Sequence, residues 1–366
     1  MVNGNNLTIL TSYYKPAPGG CCKRYFRAIN ALLDRGHVVH YLSVVKFPID
    51  HPNCFHHRFP WSGTFTDNVI FWGAFYFASP FMFAFLVLRY NITHCFVFHP
   101  AYAFGLRPAR LFKDMPVTVF YRADHILNHE IKGTRKWIIA VDKIVEKIAL
   151  KNTKIFCVSH SLVEMLRTRI SPGLWKSIEV IPNDVIRKKY DHVPADTFRL
   201  ATVGILEERK NLILLLRLME HLRNNKVRLD IYGTGPYEQR LKMLADESGL
   251  DELVKFHGWV DRDNIWPNVD LLLMPSLHEG APNSVLEALG SDIPVLASDI
   301  PEHREILGEF QLLNPDEPQA WLSCIKNMLG DIERNLAEFI DSQSRYRDAL
   351  IFNWDEKIVE YITEAP

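Results

Sequence analysis

Short apolar runs alternate with helical stretches along the whole chain. The runs predict strands at Leu7–Thr11, Val38–Ser43, Thr93–Phe98, Val117–Tyr121, Ile155–Val158 and Glu179–Ile181. A second series is predicted at Arg199–Val203, Arg228–Tyr232, Val254–Phe256, Leu271–Met274 and Pro294–Ala297. Runs such as FCVS and LLLMPS are apolar throughout, as strands covered by helices on both faces should be. Two such series in succession predict an α/β chain of two doubly wound units. The stretch Asn183–Thr197 is polar, holds Pro194 and lacks periodicity, so it reads as the linker. The expected division is 1–185, 186–345 and a C-terminal segment 346–366.

One segment departs from this rhythm. Val69 to Leu88 is a run of twenty residues without a charge, VIFWGAFYFASPFMFAFLVL. Its length suits a membrane span, an in-plane membrane contact or a buried helix. Pro80 sits mid-segment, and a span here would put two halves of one sheet on opposite sides of a bilayer. Aromatic residues favour the membrane–water boundary, and Arg89, Arg107, Arg110 and Lys113 lie near enough in sequence to meet anionic headgroups.

Charge sharpens this picture. The 366 residues carry a formal net charge of -1, yet residues 1–188 hold 24 Lys and Arg against 11 Asp and Glu. The remainder holds 18 against 32, so a basic half is joined to an acidic one. The basic half implies an anionic partner, and with no nucleic-acid motif a lipid surface is preferred over nucleic acid. Lys143, Lys147 and Lys151 recur four apart, opposite Trp137, Val141, Ile144 and Ile148, which reads as a solvated face or an extension of a membrane-facing basic patch, with the apolar residues on the other side. The six cysteines form no C-x-x-C pair, which fits reduced thiols in a cytoplasm. The start MVNGNNLTIL has neither a basic head nor a long apolar core, so no signal peptide is predicted.

The richest chemistry lies in Pro275 to Glu305, PSLHEGAPNSVLEALGSDIPVLASDIPEHRE. It leaves a buried strand, passes a loop of small residues and enters a helix near Ser284. Such a junction lies at the carboxyl edge of a doubly wound sheet, where ligands bind. Gly280, Ala281 and Pro282 let backbone approach a ligand, and free N–H groups of Ser284 and Val285 would suit a diphosphate. Glu279 and Glu287 bracket the helix start, where carboxylates can accept from vicinal hydroxyls. The plainer reading of Ser284-x-x-Glu287 is a helix capping box.

Here the sequence resembles glycosyltransferase family 4, retaining nucleotide-sugar transferases of the GT-B fold. The family pattern is E-G-x-P-N-x-x-x-E-A followed by G-x-P-V-x-A-S. This chain has Glu279-Gly280-Ala281-Pro282-Asn283, then Glu287-Ala288, then Ile293-Pro294-Val295-Leu296-Ala297-Ser298. The resemblance implies that Glu279 meets the donor sugar and Glu287 the ribose. Asp292 stands where the family usually has glycine. Val203-Gly204-Ile205-Leu206-Glu207-Glu208-Arg209-Lys210-Asn211 resembles the family's V-G-R-L-x-x-x-K-G/N. Lys210 matches it, Ile205 replaces the usual arginine, and Arg209 is the candidate substitute on the diphosphate. Asn283 completes the small-residue loop.

Weaker likenesses cover most of the rest. Gly233-Thr234-Gly235-Pro236 resembles the family's G-x-G-P turn, and His257-Gly258-Trp259-Val260 the strand end that reads the base. Pro16-Ala17-Pro18-Gly19-Gly20 resembles the glycine loop beside the diphosphate, and Trp354 to Ile362 the final helix that crosses back to the first domain. On the acceptor side, Asp124 and His125 follow the strand Val117–Phe120 and suit orienting the acceptor or taking its proton, unless they merely cap a loop. His99 ends the strand Thr93–Phe98 and has the same two readings. Asp261-Arg262-Asp263 spells a metal-binding pair of another transferase fold, but at a helix start aspartates read as caps.

The resemblance implies two Rossmann-like domains facing a central cleft, no metal or other cofactor, and a nucleotide-sugar donor, UDP- before GDP-. The expected acceptor is a glycan or lipid-linked glycan in cell-surface polysaccharide biosynthesis, at the cytoplasmic face of the inner membrane. An epimerase or hydrolase on the same fold, and a non-catalytic membrane scaffold, are the competing readings.

Overall fold

The computed structural model describes residues 6–13, 20–46, 48–61, 69–121 and 136–364. The chain divides into two compact units, Met1–Pro182 with Asn353–Pro366, and Asn183–Phe352. In the first unit the described strands are β1 (Thr8–Ser12), β2 (Val38–Ser43), β3 (Cys54–Arg58), β4 (His94–Val97), β5 (Val117–Phe120), β6 (Lys154–Cys157) and β7 (Ile178–Val180). They form one sheet in the order β3-β2-β1-β4-β5-β6-β7, with every pairing parallel. The second unit has β8 (Phe198–Val203), β9 (Val227–Tyr232), β10 (Val254–Gly258), β11 (Leu271–Met274), β12 (Val295–Ser298) and β13 (Leu312–Leu313). Their order is β10-β9-β8-β11-β12-β13, again parallel throughout. Both units are therefore doubly wound. The expected strands fall in place to within a residue or two.

The two strands that sequence periodicity missed, β3 and β13, both lie at sheet edges. β3 reads CFHHR and is half exposed, so it lacks the continuous apolar run that marks a covered strand. Cys95 and Cys157, in β4 and β6, are buried thiols, and burial pushes both up to about 12.

The stretch after Asn183 packs on the second unit rather than bridging freely. Val185 N donates to Leu350 O, Lys188 N to Gly290 O and Val193 N to Pro267 O. Gly290 must lack a side chain here, because a Cβ would stand 2.2 Å from Ile186 O. The helix Ile332–Ala349 also stays with this unit, since buried Gln343 donates to Ile293 O. The return to the first unit therefore starts at Asn353, beyond the 346 expected from the sequence. There Trp354 is fully buried beneath the guanidinium groups of Arg24 and Arg27.

The helix Lys136–Ala149 corrects one expectation. Val141, Ile144 and Ile148 are exposed, while Glu146 and Ala149 face inward. The physical reason is an ion pair: Glu146 accepts from Arg169 Nε at 2.8 Å and from the Tyr121 hydroxyl at 2.5 Å. A buried carboxylate so partnered sets the helix's rotation against its apolar residues.

Candidate active site in the second unit

β8 and β11 are neighbours, so the segments leaving their carboxyl ends lie side by side. The strand order turns at this point, which is where doubly wound sheets bind ligands. From β8 comes a turn of 3-10 helix, Glu208–Lys210, closed by Asn211 in the left-handed region. From β11 comes the loop 275–282 and the helix Asn283–Gly290. Leu277 N donates to Arg209 O at 2.8 Å and ties the two together.

Glu279 is the centre of the assembly. Its carboxylate is buried and accepts from Lys210 Nζ at 2.6 Å, Arg209 Nη1 at 2.9 Å and Ser276 Oγ at 2.7 Å. Burial pushes the carboxyl up, but Lys210 and Arg209 outweigh it and hold Glu279 at about 2. Arg209 also donates to Glu207 and to the carbonyl of His278. Two cations and a carboxylate are thus set in fixed geometry, with Lys210 itself nearly buried.

The loops owe their shape to glycine. A Cβ on Gly233 would stand 1.8 Å from Gly204 O, and its φ of +126° is one that L side chains rarely adopt. A Cβ on Gly235 would stand 2.4 Å from Leu206 O. The G-x-G-P turn therefore packs against the Gly204–Leu206 backbone, which leads into Arg209 and Lys210. The P-V-L-A-S tail has an equally local role. The Ser298 hydroxyl donates to Ser276 O, and His303 donates from Nδ1 to Ser298 O at 2.8 Å. His303 is fully buried; burial lowers its pKa although the charge of Glu279 opposes this.

Glu287 projects from the helix Asn283–Gly290 and pairs with Arg262 Nη1 at 2.9 Å. The capping box does not form. Ser284 Oγ donates instead to Val203 O at 2.9 Å, and Pro282 occupies the cap without a side-chain bond. Val285 N donates to Pro282 O at 3.0 Å, so the expectation that its N–H is free for a phosphate is corrected. The turn that begins the helix consumes that donor. Asn283 Oδ1 accepts from Asn183 Nδ2, which fixes the loop's end.

Near the end of β10, His257 stacks on Tyr232 with centroids 4.5 Å apart and bonds Asp230 at 2.7 Å. Trp259 is 74% exposed and Val260 is half-buried beside it. Asp261 caps the next helix by accepting from Asp263 N, while Asp263 pairs with Lys188. The aspartates are thus engaged as caps and surface partners. Arg262, which the same segment hid, is the residue sequence reasoning missed; Ser276 and His303 were missed likewise, because only their contacts reveal them.

In the first unit His99 caps the helix Pro100–Leu106, accepting from Ala101 N at 3.0 Å. The structure thus gives His99 a capping role, the plainer of its two readings. Gly20 begins the helix Gly20–Asp34. Gly19, Asp124 and His125 lie outside the described residues.

Asp292, at the position where the resembled family usually has glycine, has φ +55°. Its side chain offsets that strain by accepting from Arg187 at 2.8 and 2.9 Å and from Arg347. Ile205, in place of the usual arginine, is exposed.

Residues 197–331 match the family model "Glycosyl transferases group 1". The O-antigen chain mannosyltransferase RfbU of Salmonella typhimurium is 26% identical over 57% of this chain and 61% of its own length. The lipopolysaccharide core biosynthesis glycosyltransferase LpsD of Rhizobium meliloti is 32% identical over 39% of this chain and 43% of its own. For the GtfA subunit of a peptide N-acetylglucosaminyltransferase from Streptococcus gordonii the identity is 30%, over 31% of this chain and 21% of that one. The chain therefore spans less than two thirds of these relatives' lengths. Among solved structures, sucrose-phosphate synthase from Thermosynechococcus elongatus superposes with TM-score 0.78 at 20% identity, covering 97% of both chains. Anabaena HepE, in complex with UDP and glucose, gives 0.75 at 14% identity, covering 97% of this chain and 99% of that one. The chain has the GT-B fold, and its residues 197–331 are a group 1 glycosyltransferase domain.

Proposed function

We propose that this chain is a retaining family 4 glycosyltransferase, moving a sugar from a nucleotide-sugar to a glycan or lipid-linked glycan. One observation carries the reading: buried Glu279 is held by Lys210 and Arg209 where β8 and β11 end together. Glycosyl transfer demands positive charge for a departing diphosphate and a fixed acceptor for sugar hydroxyls. Lys210 and Arg209 supply the first and Glu279 the second, while Glu287, braced by Arg262, suits the ribose. The reading assigns no metal, since the two cations answer the charge of the leaving group.

In this reaction the acceptor oxygen attacks the anomeric carbon on the face from which the diphosphate leaves. The carbon–oxygen bond to the β-phosphate breaks as the new glycosidic bond forms, and the acceptor's proton passes to the departing phosphate. The configuration is retained. A UDP-sugar is preferred as donor, supported by the UDP complex of the Anabaena neighbour. Relatives named for O-antigen and lipopolysaccharide core synthesis support a cell-surface polysaccharide product, and the cytoplasmic face of the inner membrane is the place of synthesis in this reading.

Mass spectrometry of products from UDP- and GDP-sugars, with and without a polyprenyl-linked acceptor, tests this. Acceptor-dependent transfer that disappears in Lys210→Ala and Glu287→Ala is the expected result. Donor consumption at full rate without acceptor would make the protein a hydrolase or epimerase instead.

A further inference from the structure

A helix that is apolar all round belongs in a core. The helix Val69–Arg89 is such a helix, yet only 33% of its most apolar stretch is buried. The burial is regular. Phe71, Phe75, Ser79, Phe83 and Leu86 face inward, and Gly105 lets the next helix approach because a Cβ there would stand 2.9 Å from Phe83 and Ser79. The opposite row, Ile70, Gly73, Phe77, Phe81, Phe85 and Leu88, keeps the same helical spacing and is exposed. Phe77, Phe81 and Phe85 are 75%, 69% and 62% exposed. On an ordinary surface helix this row would be polar.

The row does not stop at the helix. Lys113 Nζ donates to Asn91 Oδ1 at 2.5 Å, which brings Leu111 and Phe112 beside the helix's end, 85% and 68% exposed. Arg107 donates to Ile148 O and Lys151 O, and Arg110 to Asn152 O. That joins the patch to the exposed Ile144 and Ile148 of the helix Lys136–Ala149. Arg107, Arg110 and Lys113 thus lie along the connection between the two helices, with Arg89 at the end of one and Lys143 and Lys147 exposed on the other. The carboxylates nearby are fewer: Asp114 reaches Arg110 at 3.9 Å, Glu146 is buried, and Asp142 sits on the helix.

We infer that this surface docks on an anionic lipid bilayer, with the Phe77–Leu88 row, Leu111 and Phe112 in the headgroup boundary and the cations on lipid phosphates. A second copy of the chain is disfavoured by the charge. A two-fold contact would set the same cations against one another. The helix links parallel strands β3 and β4, so it runs back along the sheet. Its Leu88 end, with Leu111 and Phe112, therefore lies at the amino edge, and its Ile70 end lies toward the carboxyl edge, where His99 follows β4. Docking through this surface keeps the chain on the bilayer that would carry a lipid-linked acceptor. In this respect the inference deepens the acceptor part of the proposed function, although the docking itself does not depend on transfer.

Flotation of the full chain with phosphatidylethanolamine vesicles, with or without phosphatidylglycerol, tests it. The wild type should float with the anionic vesicles and be released by high salt. The triple variant Phe77→Gln, Phe81→Gln, Phe85→Gln should partition at least about tenfold less, with an unchanged thermal midpoint. Lys143→Gln with Lys147→Gln should weaken binding about fivefold for each cation removed. No flotation with anionic vesicles, or flotation that survives the triple variant, would overturn the inference. So would a dimer in sedimentation that the triple variant dissociates, since the occupant would then be a second copy. The vesicles contain no donor sugar, so failure here leaves the transfer reading intact, and failed transfer leaves this one.

Discussion

The two units place their unusual residues in opposite positions. The second draws charge inward: Glu279, Asp230 and Lys210 are buried, each with an oppositely charged partner or a histidine within 2.8 Å. The first also buries one ion pair, Glu146 with Arg169, which sets a helix's rotation, but what distinguishes it is the row of phenylalanines turned outward along the helix Val69–Arg89. A buried charge costs several kcal/mol to desolvate, so it persists only where partners hold it in place, as Glu279 is held at the end of β11. An exposed phenylalanine weakens solubility, so it persists where something must be touched. On the readings proposed above, the comparison separates a site for a small charged ligand from a surface for an extended apolar one.

The largest expected effect tests that contrast through stability. Glu279→Ala leaves Lys210 buried beside an empty acid position and should cost about 3–5 kcal/mol in urea unfolding of the second unit. Phe81→Gln, on the exposed row, should stay within about 0.5 kcal/mol. Equal losses would erase the distinction between the two regions.

Acid should separate the units next. His40 bonds His57 at 2.8 Å, and burial first, then the neighbouring His57, lowers it to about 4 from 6.5. A histidine held below its ordinary pKa contributes stability above that value and loses it as pH falls toward the folded one. Strands β2 and β3 should therefore loosen between about pH 6.5 and 4. Glu279, lowered from 4.5 to about 2, keeps its contribution until pH falls below about 4.5. Hydrogen exchange at pH 7 and pH 5 should thus show faster opening in β2 and β3 with β8 and β11 unchanged. Equal acceleration in both sheets would contradict this.

The smallest effect concerns a departure from the family pattern. Asp292→Gly relieves a left-handed residue but removes the bonds to Arg187 and Arg347. The two terms oppose each other, and the thermal stability should change by no more than about 1 kcal/mol.

Much of this was legible in the sequence, for reasons that differ by region. Covered strands such as LLLM announce themselves because both faces need apolar residues. The Glu279 and Lys210 motifs were legible because both match a family pattern at the ends of predicted strands, and the structure brings the two side chains together. Edge strands β3 and β13 were not, since an edge needs no continuous apolar run. Nor was the rotation of Lys136–Ala149, where buried Glu146 overrides the apolar pattern through partners distant in sequence. Arg262 was read as part of a helix start, and its contact with Glu287 depends on tertiary structure alone. The apolar segment was recognised, but which of its rows is outward was set by packing against Gly105 and its neighbours.

Titration calorimetry of UDP against uridine, on the wild type and Lys210→Ala, bears most directly on the central claim. If Lys210 and Arg209 hold a diphosphate, the wild type binds UDP at least about a hundredfold more tightly than uridine. Lys210→Ala should lose most of that difference while its uridine affinity stays the same. Equal binding of UDP and uridine by the wild type, or a full UDP preference in the variant, would contradict the account.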